Sequence, residues 1–323
     1  MPLTDLPDLE SAEARLRGRV RTTPLLSAPL LDAVAGRRVL VKAECLQHTG
    51  AFKARGAWAA VSALPPGTRG VVALSSGNHA QGVAWAARAH GLPATVVMPS
   101  DAPSVKIRNT RELGAEVVLY DRHAEDRETI AARLQETRGL VLIRPYDDAQ
   151  VIAGQGSVGL EIAAQAAEAG VDQADVLVCC GGGGLTAGIA LAFEARAPRL
   201  RARPVEPEGF DDTARSLLAG KHMRNERLAG SLCDAILTPT PGEMTFPIMA
   251  RLCGPGLWVT EAEALRAMAL AFAGLKIVLE PGGAVALAAA LFRPDALSGD
   301  AVIAVASGGN VDPAVFARAL TAG

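Results

Sequence analysis

A single lysine stands among small residues at the start of an apolar run, in the segment TGAFKARGA (49–57). Lysine is usually a surface residue. In this setting Lys53 is a candidate for an amine that forms a Schiff base with a carbonyl compound. The lysine alone is equally compatible with an ordinary surface position, so the assignment depends on whether the rest of the chain builds a cofactor site.

A run of four glycines at 181–184 follows an apolar strand predicted at 176–180 and precedes a helix predicted to begin at Leu185. Uncovered backbone N–H groups next to a helix N-terminus suit a phosphate dianion. The same region also fits a dinucleotide fingerprint, because a glycine–alanine spacing of the GxGxx[G/A] type is followed by Glu206 at the end of the next strand. The residues alone leave a nicotinamide cofactor and a smaller phosphate as alternatives.

Two further polar turns follow predicted strands. The segment SSGNH (75–79) comes after the strand predicted at 70–74 and precedes a helix predicted over 82–90, and Ser307 follows the last predicted strand, 301–306. Carboxyl ends of parallel strands meet at the edge where ligands bind, so the first turn could bind a carboxylate and Ser307 could bond a ring atom. An ordinary helix cap and a plain turn are the competing interpretations, and His79 alone would more often be structural.

The acidic turn EPEGFDD (206–212) places four carboxylates in seven residues. Oxygen ligands suit Mg²⁺ or Ca²⁺, so the turn is a candidate cation site. By itself, a solvated acidic loop explains the pattern better.

Short apolar strands alternate with helices of about ten residues along most of the chain, which predicts an α/β fold whose mostly parallel sheets carry helices on both faces. The segment 70–147 reads as a compact α/β unit inserted into a larger one formed by 1–65 and 148–323. The inserted unit is expected to form a small domain.

Composition excludes several classes of function. The net charge is −2 and aromatic residues make up 4% of the 323 residues, so nucleic acid is not expected as a partner. A charge-free apolar segment long enough to span a membrane is not found, so no membrane partner is expected either. The five cysteines are odd in number and show no CxxC spacing, which favours reduced thiols in a cytoplasmic protein.

The motifs TGAFKARGA, SSGNHAQG, AGQGSVGLEI, GGGGLTAG, the acidic turn and SGGN occur in this order from Thr23 to Val311. As a set they resemble the pyridoxal-phosphate enzymes of fold type II, in the branch of threonine and serine dehydratases, hydroxyaspartate dehydratases and serine racemases. The resemblance implies the tryptophan synthase β-like architecture of two three-layer α/β/α domains. In that architecture 1–65 and 148–323 would form the large cofactor-binding domain, and the small domain 70–147 would close over the substrate. It also favours pyridoxal phosphate over a nicotinamide, since a nicotinamide enzyme needs neither Lys53 nor Ser307 at fixed places.

The resemblance implies a role for each candidate residue. Lys53 would hold the cofactor covalently and take the substrate's α-proton, and Phe52 would pack near the ring. The other implied cofactor residues are Gly181, Gly182, Gly183, Gly184 and Leu185 at the phosphate, Asn78 at the ring hydroxyl and Ser307 at the pyridine nitrogen. The implied substrate-carboxylate residues are Ser75, Ser76, Asn78 and His79. The family's divalent-cation site (Mg²⁺, Ca²⁺ or Mn²⁺) matches Glu206, the carbonyl of Phe210 and Asp212.

The implied reaction is the elimination of the β-hydroxyl from serine, threonine or 3-hydroxyaspartate, giving a 2-oxo acid and ammonia. Ser76 leaves racemisation open, because a hydroxyl there could act as acid or base on the face opposite Lys53. A nicotinamide oxidoreductase is the distant alternative. The family also implies a homodimer.

Overall fold

The computed structural model describes residues 6–75, 77–102, 104–121, 124–227 and 229–321. Its strands are β1 (Leu25–Leu26), β2 (Arg38–Lys42), β3 (Val71–Leu74), β4 (Ala94–Pro99), β5 (Glu116–Tyr120), β6 (Val141–Leu142), β7 (Ala174–Cys179), β8 (Leu200–Pro207), β9 (Leu257–Val259) and β10 (Ala301–Val305). Its helices are α1 (Leu6–Leu16), α2 (Pro29–Ala35), α3 (Lys53–Ser62), α4 (Asn78–Ala89), α5 (Ser104–Glu112), α6 (Arg127–Arg138), α7 (Ala149–Glu168), α8 (Gly184–Arg196), α9 (Asp212–Ala219), α10 (Thr245–Leu252), α11 (Glu261–Leu275), α12 (Pro281–Phe292) and α13 (Pro313–Thr321).

The strands form two sheets. Within the described residues, the larger sheet has the order β1-β2-β10-β7-β8-β9 and the smaller the order β5-β4-β3-β6. Every pairing is parallel except that of β1 with β2. The expected α/β class with mostly parallel sheets is therefore confirmed, and the carboxyl ends of β7 and β10 come to one edge of the larger sheet.

Continuous apolar runs form the central strands, as parallel sheets covered on both faces require. Residues of β7 and β10 are buried throughout, and α12 is buried on nearly every side because its sequence is apolar all round. Burial on this scale is the main favourable term in folding. The buried strands hold their carboxyl ends in place, and the polar turns follow directly after those ends.

The smaller sheet is built from strands that lie between Val71 and Leu142, inside the segment expected to form the small domain. Its core includes residues of α3 and α4 and one residue of α7, Val151. Gly82 of α4 permits a close approach to α3, because a Cβ there would lie 3.1 Å from the carbonyl carbon and oxygen of Lys53. The boundaries proposed for the two domains stay a prediction.

One element near the polar turns begins earlier than its sequence suggests. A turn is expected over 75–81 and a helix over 82–90, but α4 begins at Asn78. The first N–H groups of α4 therefore belong to residues that were expected to form the turn. The turn-rich sequence of 220–247 predicts an irregular segment, but α10 begins within it at Thr245.

Across the described ranges, the helices all lack the combination of length and apolar character needed to cross a membrane. The five cysteines are free thiols.

Candidate active site

Lys53 is the first residue of α3, behind the buried ring of Phe52. Its Nζ donates a hydrogen bond of 2.6 Å to the carbonyl of Pro145 and lies 5.1 Å from the centroid of the Phe52 ring. Burial lowers the pKa of the Lys53 amine to about 8, because the charged form loses its water shell. At a given pH, a much larger fraction of the Lys53 amine is therefore in the neutral, nucleophilic form than of the amine of an exposed lysine.

The glycine turn after β7 has the form of an anion cradle. Gly183 has φ +90, a conformation that favours glycine, and a Cβ at Gly182 would lie 2.3 Å from the Tyr146 ring. The N–H groups of residues 181–183 donate to no acceptor among the described residues. The N-terminus of α8 follows immediately at Gly184 and includes Leu185. Unpaired N–H groups at a helix start suit a phosphate, so this turn fits the phosphate of the cofactor implied by the resemblance.

Asn78 is held on both sides of its amide. Its Nδ2 donates to Glu280 Oε1 at 2.6 Å, and its Oδ1 accepts from Asn310 Nδ2 at 2.8 Å. Asn310 also donates to the carbonyl of Thr49. Burial raises the pKa of the Glu280 carboxyl to about 7, although the bond from Asn78 acts against this rise. The amide expected at the ring hydroxyl thus has a fixed orientation.

The turn before α4 presents a hydroxyl, with helix N–H groups beyond it. Ser75 Oγ accepts from the N–H of Gly77 at 3.2 Å. His79 is buried, its Nε2 lies 2.8 Å from the carbonyl of Ile143, and burial together with the charge of Lys53 lowers its pKa to about 3. His79 is therefore a neutral ring that positions the turn. Ser76, the residue that the sequence offers as a second acid or base, lies outside the described residues.

Ser307 joins the lysine segment to the end of β10. Its side chain is buried, and its carbonyl accepts from the N–H of Phe52 at 3.0 Å. The thiol of Cys179 stands beside it, with a pKa that burial raises to about 11 against the hydrogen bond between the two side chains. The Ser307 hydroxyl is thus placed at the carboxyl ends of β7 and β10, near Lys53.

A cavity of about 900 Å³ brings most of these residues together. The expected site residues on its wall are Phe52, Lys53, Ser75, Asn78, His79, Gly181, Gly182, Gly183, Gly184, Leu185 and Ser307. The acidic turn residues Glu206, Phe210 and Asp212 are not among the described residues that line it. The candidate cation site is therefore separate from the cavity.

Glu206, Phe210 and Asp212 of the acidic turn are buried and Glu208 is exposed, whereas the residues alone favoured a solvated loop. Glu206 accepts from the N–H groups of Thr213 (2.9 Å) and Ala214 (2.8 Å) at the start of α9. Burial and the neighbouring Asp212 raise the pKa of Glu206 well above its usual range, and burial raises that of Asp212 to about 7. Asp212 Oδ2 is buried without a hydrogen-bond partner in the described part of the chain. Two buried carboxylates and one free oxygen fit a hard cation.

The described ranges hold no group of three or more His, Cys, Asp and Glu side chains that could bind a metal ion. Carbonyls and water would have to supply the remaining ligands at the acidic turn.

Sequence reasoning missed many residues of the cavity wall, among them Tyr146, Glu280 and Asn310. Asn310 belongs to the SGGN motif, and Glu280 immediately precedes the segment 281–291, for which the sequence predicts a helix. Both residues therefore lie next to a recognisable sequence signal. Tyr146 had no such signal, because its contact with the glycine turn joins residues far apart in sequence.

Comparison with known proteins gives one consistent family. Residues 16–308 match the family model described as pyridoxal-phosphate dependent enzyme. An L-threo-3-hydroxyaspartate ammonia-lyase from a Pseudomonas species is 41% identical over 322 residues, which cover 99% of this chain and 99% of that protein.

Solved structures agree with this result. A threonine deaminase from T.th. superposes with a TM-score of 0.90 at 47% identity, over 95% of this chain and 99% of that one. Maize serine racemase superposes with a TM-score of 0.92 at 36% identity, over 99% of this chain and 97% of that one.

Proposed function

Because the chain belongs to the pyridoxal-phosphate dependent enzymes, we propose that it converts a small β-hydroxy amino acid into a 2-oxo acid and ammonia. The α-proton and the β-hydroxyl leave as water, and one water then hydrolyses the resulting imine, so that ammonia is the net product besides the 2-oxo acid. Serine, threonine and 3-hydroxyaspartate are the candidate substrates. Relatives named hydroxyaspartate ammonia-lyase and threonine deaminase support this choice of reaction.

One observation carries the proposal. A buried lysine amine shares a cavity with an unpaired glycine cradle and with the side chains of Asn78 and Ser307. Pyridoxal phosphate supplies an electrophilic carbonyl and an electron sink that makes the α-C–H bond of a bound amino acid acidic. The cavity offers one group for each part of that cofactor: an amine for the carbonyl, N–H groups for the phosphate, an amide for the ring hydroxyl and a hydroxyl for the ring nitrogen.

Lys53 moves the proton. With a pKa of about 8, roughly half of the amines are neutral at about pH 8, against well under about 1% for an unshifted lysine. A neutral Nζ leaves the Pro145 carbonyl and takes the proton from the substrate's α-carbon.

The turn before α4 binds the substrate carboxylate. The Ser75 hydroxyl and the first N–H groups of α4 stand at a helix N-terminus, which favours an anion. Neutral His79 holds this turn against Ile143 without adding a charge that would compete for the carboxylate.

Ser307 selects the type of reaction. A neutral hydroxyl at the ring nitrogen cannot keep that nitrogen protonated as a carboxylate would, so the electron sink is weaker and elimination is favoured over transamination. This role rests on the family resemblance and on the buried position of Ser307 beside Phe52.

The test uses purified protein loaded with pyridoxal phosphate. We expect an absorption band at the edge of the visible range that disappears on borohydride reduction, with the label found on Lys53 by peptide mass analysis. Release of a 2-oxo acid from at least one of the three substrates should follow. A protein that shows neither the band nor the product would overturn the proposal.

A racemase acting on the same substrates is a second candidate. It is favoured by the SSGNH sequence, in which Ser76 could serve as the second acid or base, and by the likeness to maize serine racemase. Replacement Ser76→Ala should spare elimination and remove any inversion of the substrate. Inversion that persists unchanged would exclude Ser76 as that group.

We further propose a divalent cation at Glu206 and Asp212, bound together with the carbonyl of Phe210. The support is the unpartnered Asp212 Oδ2 and the mutual repulsion of the two buried carboxylates. Mg²⁺, Ca²⁺ or Mn²⁺ should raise the unfolding temperature, and Asp212→Asn should abolish that increase. Chelation that leaves stability and activity unchanged would return the turn to a purely structural role.

A homodimer and a cytoplasmic location complete the proposal. The first rests on the family and the second on five free thiols. Sedimentation of the purified protein and its localisation by fractionation of the source cells would test them.

A further inference from the structure

Positive charge is concentrated where α1 ends, in the segment RLRGRVR (15–21). The ion pairs between described side chains join other residues. Four arginines therefore have no carboxylate partner in the part of the chain that the structure describes: Arg15, Arg17, Arg19 and Arg21. Like charges placed this close repel one another, and a bound anion would relieve the repulsion.

A second cavity lies beside this segment. Arg15 and Arg19 line it, and its volume is about 330 Å³. The other described residues on its wall are Trp58, Ser62, Ala89 and His90. None of these residues lines the cavity that holds Lys53. Ligand pockets measure about 300–1,000 Å³, so the second cavity suits a small molecule and is separate from the candidate active site.

The end of α1 brings two of the arginines to this cavity. Gly18 has φ +70, the left-handed conformation in which many helices end. The N–H of Arg19 donates to the carbonyl of Leu16 at 2.9 Å, which holds the turn. Arg19 therefore reaches the wall that Arg15 occupies, whereas Arg17 is not among the described residues that line the cavity.

Arg15 is held firmly, but only by neutral groups. Its Nε donates to Ser62 Oγ at 3.1 Å, and its two terminal nitrogens donate to Ser11 Oγ at 2.7 Å and Gln150 Oε1 at 2.5 Å. A guanidinium has five N–H donors, so two of them remain. The side chain is partly buried, and burying a charge is unfavourable unless an opposite charge is near. Arg15 is thus oriented in advance and lacks a counterion.

The rest of the wall adds donors on a rigid base. Arg19 is exposed, and its guanidinium has no hydrogen bond or ion pair with the residues that the structure describes. His90 Nδ1 donates to the carbonyl of Ala86 at 2.8 Å, which leaves Nε2 available. The Trp58 ring lies 4.5 Å from the His90 ring between centroids, and its Nε1 donates to the carbonyl of Arg15 at 2.9 Å.

We propose that this cavity binds a small soluble phosphate compound, with Arg15 and Arg19 as the two charged donors. Guanidinium groups match phosphate oxygens because parallel N–H groups meet two oxygens at once. The two arginines can reach different oxygens of one phosphate, since both line the same wall. The ligand is distinct from the substrate and from the cofactor, because the cavity shares no described residue with the one that holds Lys53.

The test titrates the protein loaded with pyridoxal phosphate with inorganic phosphate, at constant ionic strength and without divalent cations. Binding is followed by calorimetry and by tryptophan fluorescence. Trp58 and Trp85 are two of the three tryptophans, and their rings lie 5.1 Å apart. We expect saturable binding with a change in fluorescence, and much weaker binding of acetate, which carries one charge and two oxygens.

Substitutions locate the site. Arg19→Met should raise the phosphate dissociation constant by about 10-fold, at the lower end for loss of a bond to a charged group because Arg19 is exposed. The variant should fold normally, since the Arg19 side chain has no partner among the described residues to lose. Arg17→Met removes the same charge from the same segment and should stay within about twofold. Arg19→Lys should keep part of the affinity, because it keeps the charge without the paired N–H groups.

Three results would overturn the inference. One is the absence of saturable phosphate binding by the loaded protein. Another is an equal loss in Arg17→Met and Arg19→Met, which would indicate attraction by the whole basic segment rather than contact in the cavity. The third is capture by vesicles containing phosphatidic acid without binding of free phosphate, which would assign the arginines to a lipid surface.

Discussion

Replacing Arg55 by methionine should destabilise the protein far more than replacing an exposed arginine. Arg55 lies two residues after Lys53 on α3, and its side chain is 0% exposed. It donates to both oxygens of Glu44 at 2.8 Å and to the two oxygens of Glu161 at 2.7 and 2.9 Å. Lys42 also pairs with Glu161 at 2.6 Å, so the group is a buried network.

The size of the stability loss depends on Glu44, the partner that remains when Arg55 is replaced. Glu44 is fully buried and would keep a charge without its main counterion. Breaking such a pair from one side costs about 3–5 kcal/mol, a large share of a typical total stability of about 5–15 kcal/mol. Methionine fills much of the same volume, so a packing defect adds little.

The pH dependence has a definite sign. Burial pushes the pKa of Glu44 upward, but the charge and hydrogen bonds of Arg55 push it down further, so it lies below its usual value of 4.5. A carboxylate with a lowered pKa contributes stability above its unfolded pKa and loses it as the pH falls through the folded value. Without Arg55, protonation of Glu44 relieves the penalty, so the deficit of the variant should be smaller near about pH 5 than near about pH 8.

The assay is urea unfolding followed by tryptophan fluorescence, with Arg138→Met as the control. Arg138 and Glu116 pair at 2.6 Å, but their side chains are 48% and 51% exposed, so the control should lose less than about 1 kcal/mol. Adding Glu44→Gln to Arg55→Met should restore part of the loss, because the stranded charge is removed. An Arg55→Met deficit no larger than that of the control would refute the reasoning.

Three further outcomes are expected. Lys53→Ala should fold but lose 2-oxo acid formation by at least about 10²-fold, as for removal of a general base; near-normal turnover would exclude the lysine from the chemistry. Gly182→Ala should weaken cofactor binding measured by equilibrium titration, since its Cβ would lie 2.3 Å from a ring, whereas Gly274→Ala, with 3.4 Å to its nearest neighbour, should bind normally; equal affinities would contradict the cradle. Glu280 has a folded pKa raised from 4.5 to about 7, so the stability it contributes is present below 4.5 and is lost as the pH rises through about 7; Glu280→Gln should flatten the stability profile over that window, and an unchanged profile would contradict the assignment.

The sequence predicted the elements that carry the site better than the contacts between them. The glycine run, the SSGNH turn and the lysine segment lie on one cavity because each follows a parallel strand or begins a helix, which local patterns reveal. The start of α4 was predicted four residues late, because polar residues that open a helix look the same as residues of a turn.

Long-range partners could not be predicted in this way. Asn78 meets Glu280 across 202 positions and Asn310 across 232, and a single sequence holds no record of such pairings. The burial of Glu206 and Asp212 in the acidic turn was missed for the same reason. Glu206 is covered by α9, and an acidic turn alone gives no sign that a helix start will supply N–H donors to it.

The short connection from Ile143 to Asp147 ties the catalytic amine to the packing of distant parts of the chain. Successive residues of this connection hold the ring of His79, accept from Lys53, cover the glycine turn and accept N–H groups that precede α10. A displacement of the small sheet that pulls on β6 therefore reaches the Pro145 carbonyl through the backbone, and it reaches the amine through one hydrogen bond. The hydrogen bond from Lys53 Nζ to the Pro145 carbonyl thus couples the amine to the connection from Ile143 to Asp147. The free energy needed to release the amine therefore includes the cost of moving that connection.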